Sequence, residues 1–79
     1  MSPDEIRGAL QRVFGEVFEG ERFEFSDALD RDTLEAWDSL GHIRLIAATE
    51  EAFNIRFTID EIESLTSVGK MVARISSPG

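Results

Sequence analysis

Three neighbouring residues carry the side-chain types of a hydrolytic centre: Asp38, Ser39 and His42. A triad needs a carboxylate that orients the imidazole from the side opposite the nucleophile, which generally takes separate chain segments. Here all three fall within one turn of a single helix start. That spacing does not assemble a triad, and so short a chain offers no deep pocket to exclude water. His42 is then expected to be a surface histidine. The acidic run through Asp30, Asp32 and Glu35 invites a calcium loop instead. Counted from Asp30, the third position is Asp32, but the fifth is Leu34 and Glu35 stands where glycine is needed. The pattern fails, and a solvated acidic loop remains.

Ser39 survives this pruning. Its plain reading is a helix-start serine, because Asp-Ser pairs open many helices and Asp38 is a good N-cap. Three features raise it above that. It follows a long loop, it sits at a helix N-terminus, and Trp37 and Leu40 flank it in a turn expected to be exposed. The free N–H groups and partial positive charge of a helix N-terminus favour a phosphate attached there. Ser39 is a physically reasonable site for a phosphoester.

The elements that would hold it are legible from capping and periodicity. Ser2-Pro3-Asp4-Glu5 is a capping box with proline at the first helical position. Ile6, Leu10, Val13, Phe14 and Val17 then recur at helical spacing, which predicts a helix over about residues 3 to 18. Residues 19 to 38 break the period and read as a long loop pinned to the core by Phe23, Phe25, Leu29, Leu34 and Trp37. A second helix is expected from Asp38-Ser39 to about Ala52, with Leu40, Ile43, Ile46, Ala47 and Phe53 on its apolar side. The breadth of that side marks it as the central helix. Thr58-Ile59-Asp60-Glu61 opens a short third helix holding Ile62 and Leu65, and Thr66 or Ser67 caps a last one with Val68, Val72 and Ile75. The fold class is all-α: a four-helix bundle with a long first connection.

Composition narrows the function. The chain has 79 residues, 16 acidic against 8 basic, and a net charge of −8. One domain over residues 1–79 is expected, with 76–79 as a frayed tail. Without Cys, and with a single His, the chain supports neither disulfides nor a thiolate nucleophile, nor the ordinary zinc spacings. The charge argues against nucleic acid, whose phosphates need clustered Lys and Arg. No apolar stretch approaches the roughly 18 residues of a membrane span, and no basic-then-apolar leader is visible. A cytoplasmic, acidic, monomeric domain is expected, suited to partners with basic docking patches.

The segment Trp37-Asp38-Ser39-Leu40-Gly41-His42-Ile43 resembles the attachment motif of acyl carrier proteins, whose core is Asp-Ser-Leu. The resemblance continues through Glu50-Glu51-Ala52-Phe53-Asn54-Ile55, an acidic helix end closed by an aromatic. It extends to Phe57-Thr58 with Asp60-Glu61, and to Leu65-Thr66-Ser67-Val68, the entries to the third and fourth helices. It is firm from about Leu34 to Ile75 and rests on pattern and length over the first helix.

That resemblance implies a four-helix fold and a serine, here Ser39, esterified by 4′-phosphopantetheine that a separate phosphopantetheinyl transferase takes from coenzyme A. Asp38 would cap the helix and mark the site for the transferase, and Leu40 would give it an apolar contact. Acyl groups would ride as thioesters on the arm and be presented to acyl-loading and acyl-transferring enzymes. The chain itself would not catalyse. Glu50 and Glu51, with Asp38, match the family's acidic docking helix, where complementary charge speeds encounter. Arg44 and Arg56 depart from it, Arg44 standing where housekeeping fatty-acid carriers show an acid. A dedicated carrier for a polyketide, a modified lipid or a sugar-bound acyl group is therefore expected. Ala47, Ala48, Thr49 and Ala52 are small enough to leave room beside the second helix, but are equally plain helix residues. Two other readings stand beside this one: a peptidyl or aminoacyl carrier, and an unmodified acidic helical interaction module.

Overall fold

Side-chain caps decide where every helix begins. The computed structural model describes residues 1–77 and contains α1 (Pro3–Val17), α2 (Ser39–Phe53), α3 (Ile59–Ser64) and α4 (Val68–Ser76). Both capping boxes form. Ser2 Oγ accepts from the Glu5 amide while Glu5 Oε1 accepts from the Ser2 amide, and Thr58 and Glu61 repeat the exchange ahead of α3. Each box satisfies two helix-end donors reciprocally. Asp38 caps α2, and Ser67 rather than Thr66 caps α4. The architecture is an all-helical bundle with a long gap between α1 and α2. Of the expected tail, Ser76 is the last residue of α4 and Ser77 its C-cap, while Pro78 and Gly79 lie outside the described residues.

The apolar stripe of α1 is buried at Ile6, Leu10, Val13 and Phe14, with Val17 half-buried at its end. That stripe packs against both α2 and α4, so α1 is the central helix and α2 is not. The expectation for α2 fails for a physical reason. Its inward face is Gly41, His42, Leu45, Ile46 and Thr49, while Leu40 and Ile43 are 66% and 64% exposed. Ala47 is exposed as well. The breadth of its apolar surface comes from two separate faces, only one of which meets the core.

The connection from α1 to α2 is a docked strap of turns. Leu29, Leu34 and Trp37 are buried, and Phe23 and Phe25 pack against the core cluster. Phe14 is the hub, edge-on to Phe25 at 5.4 Å and to Trp37 at 5.2 Å between ring centroids. Backbone bonds fix the strap to the start of α4: the Arg31 amide donates to the Thr66 carbonyl at 3.2 Å, and Val68 to Leu29 at 2.9 Å. Around them lies an isolated antiparallel bridge between Asp30 and Ser67. Arg7 holds the far end of the strap through a bidentate pair with Asp27, at 2.9 and 2.8 Å.

Arg74 of α4 pairs with Glu61 of α3 and lies over the Phe57 ring at 5.3 Å. The guanidinium, followed by the Thr58 amide, holds the Glu61 carboxyl below its ordinary value of 4.5. Arg7 does the same to Asp27, whose ordinary value is 3.8. A depressed carboxyl contributes stability above its unfolded value and loses it as pH falls through the folded one. Thermal melts should therefore show the midpoint dropping once pH falls below 4.5. Glu61→Gln should start lower at neutral pH and lose less on acidification than the parent chain.

Candidate functional site

Trp37 is 1% exposed, and a buried indole N–H needs an acceptor. His42 supplies it. Trp37 Nε1 donates to His42 Nδ1 at 2.8 Å, and the rings lie nearly parallel with centroids 6.1 Å apart. With Nδ1 accepting, the ring proton is on Nε2, which donates to the Ile62 carbonyl at 2.7 Å. His42 is 5% exposed, with both nitrogens committed. The expected surface histidine is thus a buried link from the strap through α2 to α3. The signal was present in the spacing: residues 42, 45, 46 and 49 form one helical face.

Gly41 closes the other side of the turn. A Cβ there would stand 2.4 Å from the Ala36 carbonyl oxygen and 3.1 Å from Phe18 Cε1, well inside contact distance of the backbone. The Gly41 amide donates to Asp38 Oδ1 at 2.8 Å, and the Asp38 carbonyl accepts from the His42 amide at 2.7 Å. Arg31 adds a third tie, its Nε donating to the Trp37 carbonyl at 3.2 Å. Asp38 is therefore a working cap, as its type predicts.

Outside this fixed turn stands Ser39, exposed at the first position of a 15-residue helix. Its hydroxyl has no hydrogen-bond partner among the described residues. The free amides of the first helical turn and the helix dipole favour an anion attached at that oxygen. The site fits a phosphoester: an uncommitted hydroxyl, a rigid base and a positive helix end. Ser39 and His42 do not form a nucleophile–base pair, because the imidazole is buried with both nitrogens in use. Among the described residues no cluster of three or more His, Asp or Glu is placed to hold a metal, and no helix is long and apolar enough to cross a membrane.

Leu40 and Ile43 continue from Ser39 as an outward apolar stripe, with Arg44 exposed beside them. Glu51 and Arg56 are also exposed, but Glu50 is half-buried and its Oε2 accepts from the Phe57 amide at 2.8 Å. The structure thus leaves Glu51 open to solvent and gives Glu50 an internal task. The small residues of α2 divide too. Thr49 is buried, its Oγ1 donating to the Leu45 carbonyl at 2.7 Å, whereas Ala48 and Ala52 line a groove of about 470 Å³ with Ala9, Arg12, Val13 and Glu16.

A family model described as a phosphopantetheine attachment site matches residues 4–75. The chain belongs to that family. It is a carrier domain of the acyl/peptidyl class, and the group it carries covalently is 4′-phosphopantetheine. Carrier domains of this family interact with phosphopantetheinyl transferases and acyl-handling enzymes. No curated protein and no solved structure matches the chain.

Two substitutions test how this carrier domain holds its turn. Gly41→Ala gains helix propensity worth about 1 kcal/mol, yet the clash with the Ala36 carbonyl should cost about 1–3 kcal/mol, giving a net loss of up to about 2 kcal/mol in urea unfolding. His42→Leu strands the Trp37 N–H and the Ile62 carbonyl. It should cost about 1–3 kcal/mol per unsatisfied group, read from the same unfolding curves.

Proposed function

We propose that Ser39 is the attachment residue and that this is a discrete acyl carrier of a cytoplasmic, specialised biosynthetic pathway. The observation that carries the assignment is the uncommitted Ser39 hydroxyl at the capped start of α2, in an Asp-Ser-Leu sequence. In the loading reaction Ser39 Oγ bonds to the phosphorus of the pantetheine phosphate. The pyrophosphate bond of coenzyme A breaks, the adenosine bisphosphate leaves, and the serine proton passes to a base on the transferase. Asp38 holds the helix end open, and the Trp37–His42 bond keeps the turn from yielding as the transferase closes on it. The thiol of the bound arm supplies the thioester chemistry that a chain without Cys lacks.

The net charge of −8 supports an acyl carrier over a peptidyl or aminoacyl one. Leu40 and Ile43 give partner enzymes an apolar contact beside the serine, and Glu51 gives them charge. Arg44 and Arg56 set the selection among partners. Each reverses the sign at an exposed position, which builds repulsion against enzymes whose docking patches are basic. Such enzymes serve acidic housekeeping carriers; a partner of this domain carries an acid opposite Arg44. A polyketide, a modified lipid or an acyl group bound for a sugar is the cargo class this reading favours.

Incubation with coenzyme A and a promiscuous phosphopantetheinyl transferase should add the mass of one phosphopantetheine to the parent chain and nothing to Ser39→Ala. No gain on a folded parent chain returns Ser39 to the role of a helix-start residue in an unmodified interaction module. Arg44→Glu should raise kcat/KM several-fold with housekeeping fatty-acid enzymes, and unchanged kinetics would remove Arg44 from partner selection.

A further inference from the structure

The end of α1 and the start of the strap enclose a furrow of about 370 Å³, lined chiefly by Gly15, Phe18, Glu19, Glu21, Phe23 and Phe25. Its floor is aromatic. Phe18 is buried, Phe23 and Phe25 are half-buried, and the Phe18 and Phe23 rings meet edge-on with centroids 6.5 Å apart. Its charged lining is acidic: Glu19 and Glu21 are exposed, and neither enters an ion pair among the described residues. Gly20, at φ +88°, turns the chain between them, and the Glu21 amide donates to the Phe18 carbonyl at 3.0 Å. Gly15 is exposed within α1, and a Cβ there would meet nothing within 4 Å. Internal packing gives no reason for glycine at a helical position where alanine is the more stable choice. Its effect is to keep the furrow open.

The floor of this furrow reaches the turn that carries the serine. Phe18 Cε1 stands 3.1 Å from where a Gly41 Cβ would be, and its ring centroid is 6.4 Å from that of Trp37. Gly41 is two helical residues beyond Ser39, so the furrow begins within about 10 Å of it. A protein partner that covers about 800 Å² extends about 16 Å from the centre of its footprint. An enzyme seated on Ser39 therefore covers the near edge of the furrow. The loading enzyme must also hold coenzyme A, whose phosphates call for Lys and Arg around its active site. We propose that the phosphopantetheinyl transferase seats a basic side chain of its active-site rim in this furrow, against Phe23 and Phe25 and beside Glu19 and Glu21. The proposal rests on Ser39 as the attachment residue. An alkyl stem or guanidinium lies favourably on aromatic faces, and the charge meets two carboxylates free of other pairing. The contact lies on the α1 side of the serine, separate from the Leu40–Ile43 stripe of α2. Cations that serve the phosphate donor thus also orient the acceptor.

Loading from coenzyme A, followed by intact mass, gives the kcat/KM of a promiscuous transferase for each variant. Glu19→Gln combined with Glu21→Gln should lower it about 3- to 10-fold, mainly through KM, and flatten its fall with added salt. Asp4→Asn, at the opposite end of α1, should change it by less than about 2-fold. Gly15→Gln fills the furrow while improving helix propensity. It should raise the melting temperature yet lower kcat/KM, a split that damage to the fold does not produce. On the parent chain, adding transferase without coenzyme A should shift the amide resonances of Gly15 and Gly20. Unmoved glycine resonances, or an unchanged kcat/KM in the double glutamine variant, overturn the proposal and leave Ser39 as the attachment residue. No loading of the folded parent chain overturns both.

Discussion

The structure turns on one buried indole. Trp37 lies two residues before the exposed serine, and a side chain that large on the inside forces its neighbours outward. Burial removes its N–H from water, and that donor must be answered by something within the bundle. His42 answers it and is in turn answered by the Ile62 carbonyl. A chain of two hydrogen bonds thereby joins the strap, the start of α2 and α3. Phe14 meets the same indole edge-on from the central helix. Everything on the outer surface of the turn inherits its position from this inner arrangement. Ser39 needs no partner of its own to be precisely placed, which leaves its hydroxyl free for chemistry.

Much of the fold was legible because caps and periodicity are local. Ser2, Asp38 and Thr58 each satisfy helix-end amides within three residues, so the starts of α1, α2 and α3 follow from short stretches of sequence. The strap was readable as a pinned connection because aromatic and aliphatic residues among so many acids have nowhere else to go. What failed was the partition of α2. Leu40 and Ile43 are apolar in type, and only the tertiary position of α1 decides that they face solvent while His42 and Thr49 face inward. The docking of Arg31 was hidden for a related reason: its anchor is a main-chain carbonyl, and side-chain type says nothing about which carbonyl a distant arginine will meet.

The turn that carries Ser39 was legible in type and not in construction. Asp-Ser-Leu names a serine, but the rigidity of its base depends on contacts that sequence spacing does not reveal. Gly41 is the clearest case. In the middle of a helix-start motif it reads as a small residue of indifferent propensity, yet the Ala36 carbonyl lies where any side chain would begin. Glu50 is the converse. It belongs by type with Glu51 on an acidic docking face, and the Phe57 amide draws it into holding the loop after α2. The free outward charge on this surface thus comes from fewer residues than composition suggests, Glu51 remaining open to solvent where Glu50 is engaged.

The single tryptophan of the chain has one more consequence. Its emission cannot be averaged over several indoles, and its polar partner is an imidazole hydrogen-bonded to it edge to edge. Light absorbed by this protein at the red edge of its ultraviolet band is therefore reported from one place, the inner wall of the turn on which the serine stands. Any partner that loosens that wall changes the colour and lifetime of the signal without a label having been added. The residue that anchors this turn is also its built-in optical gauge.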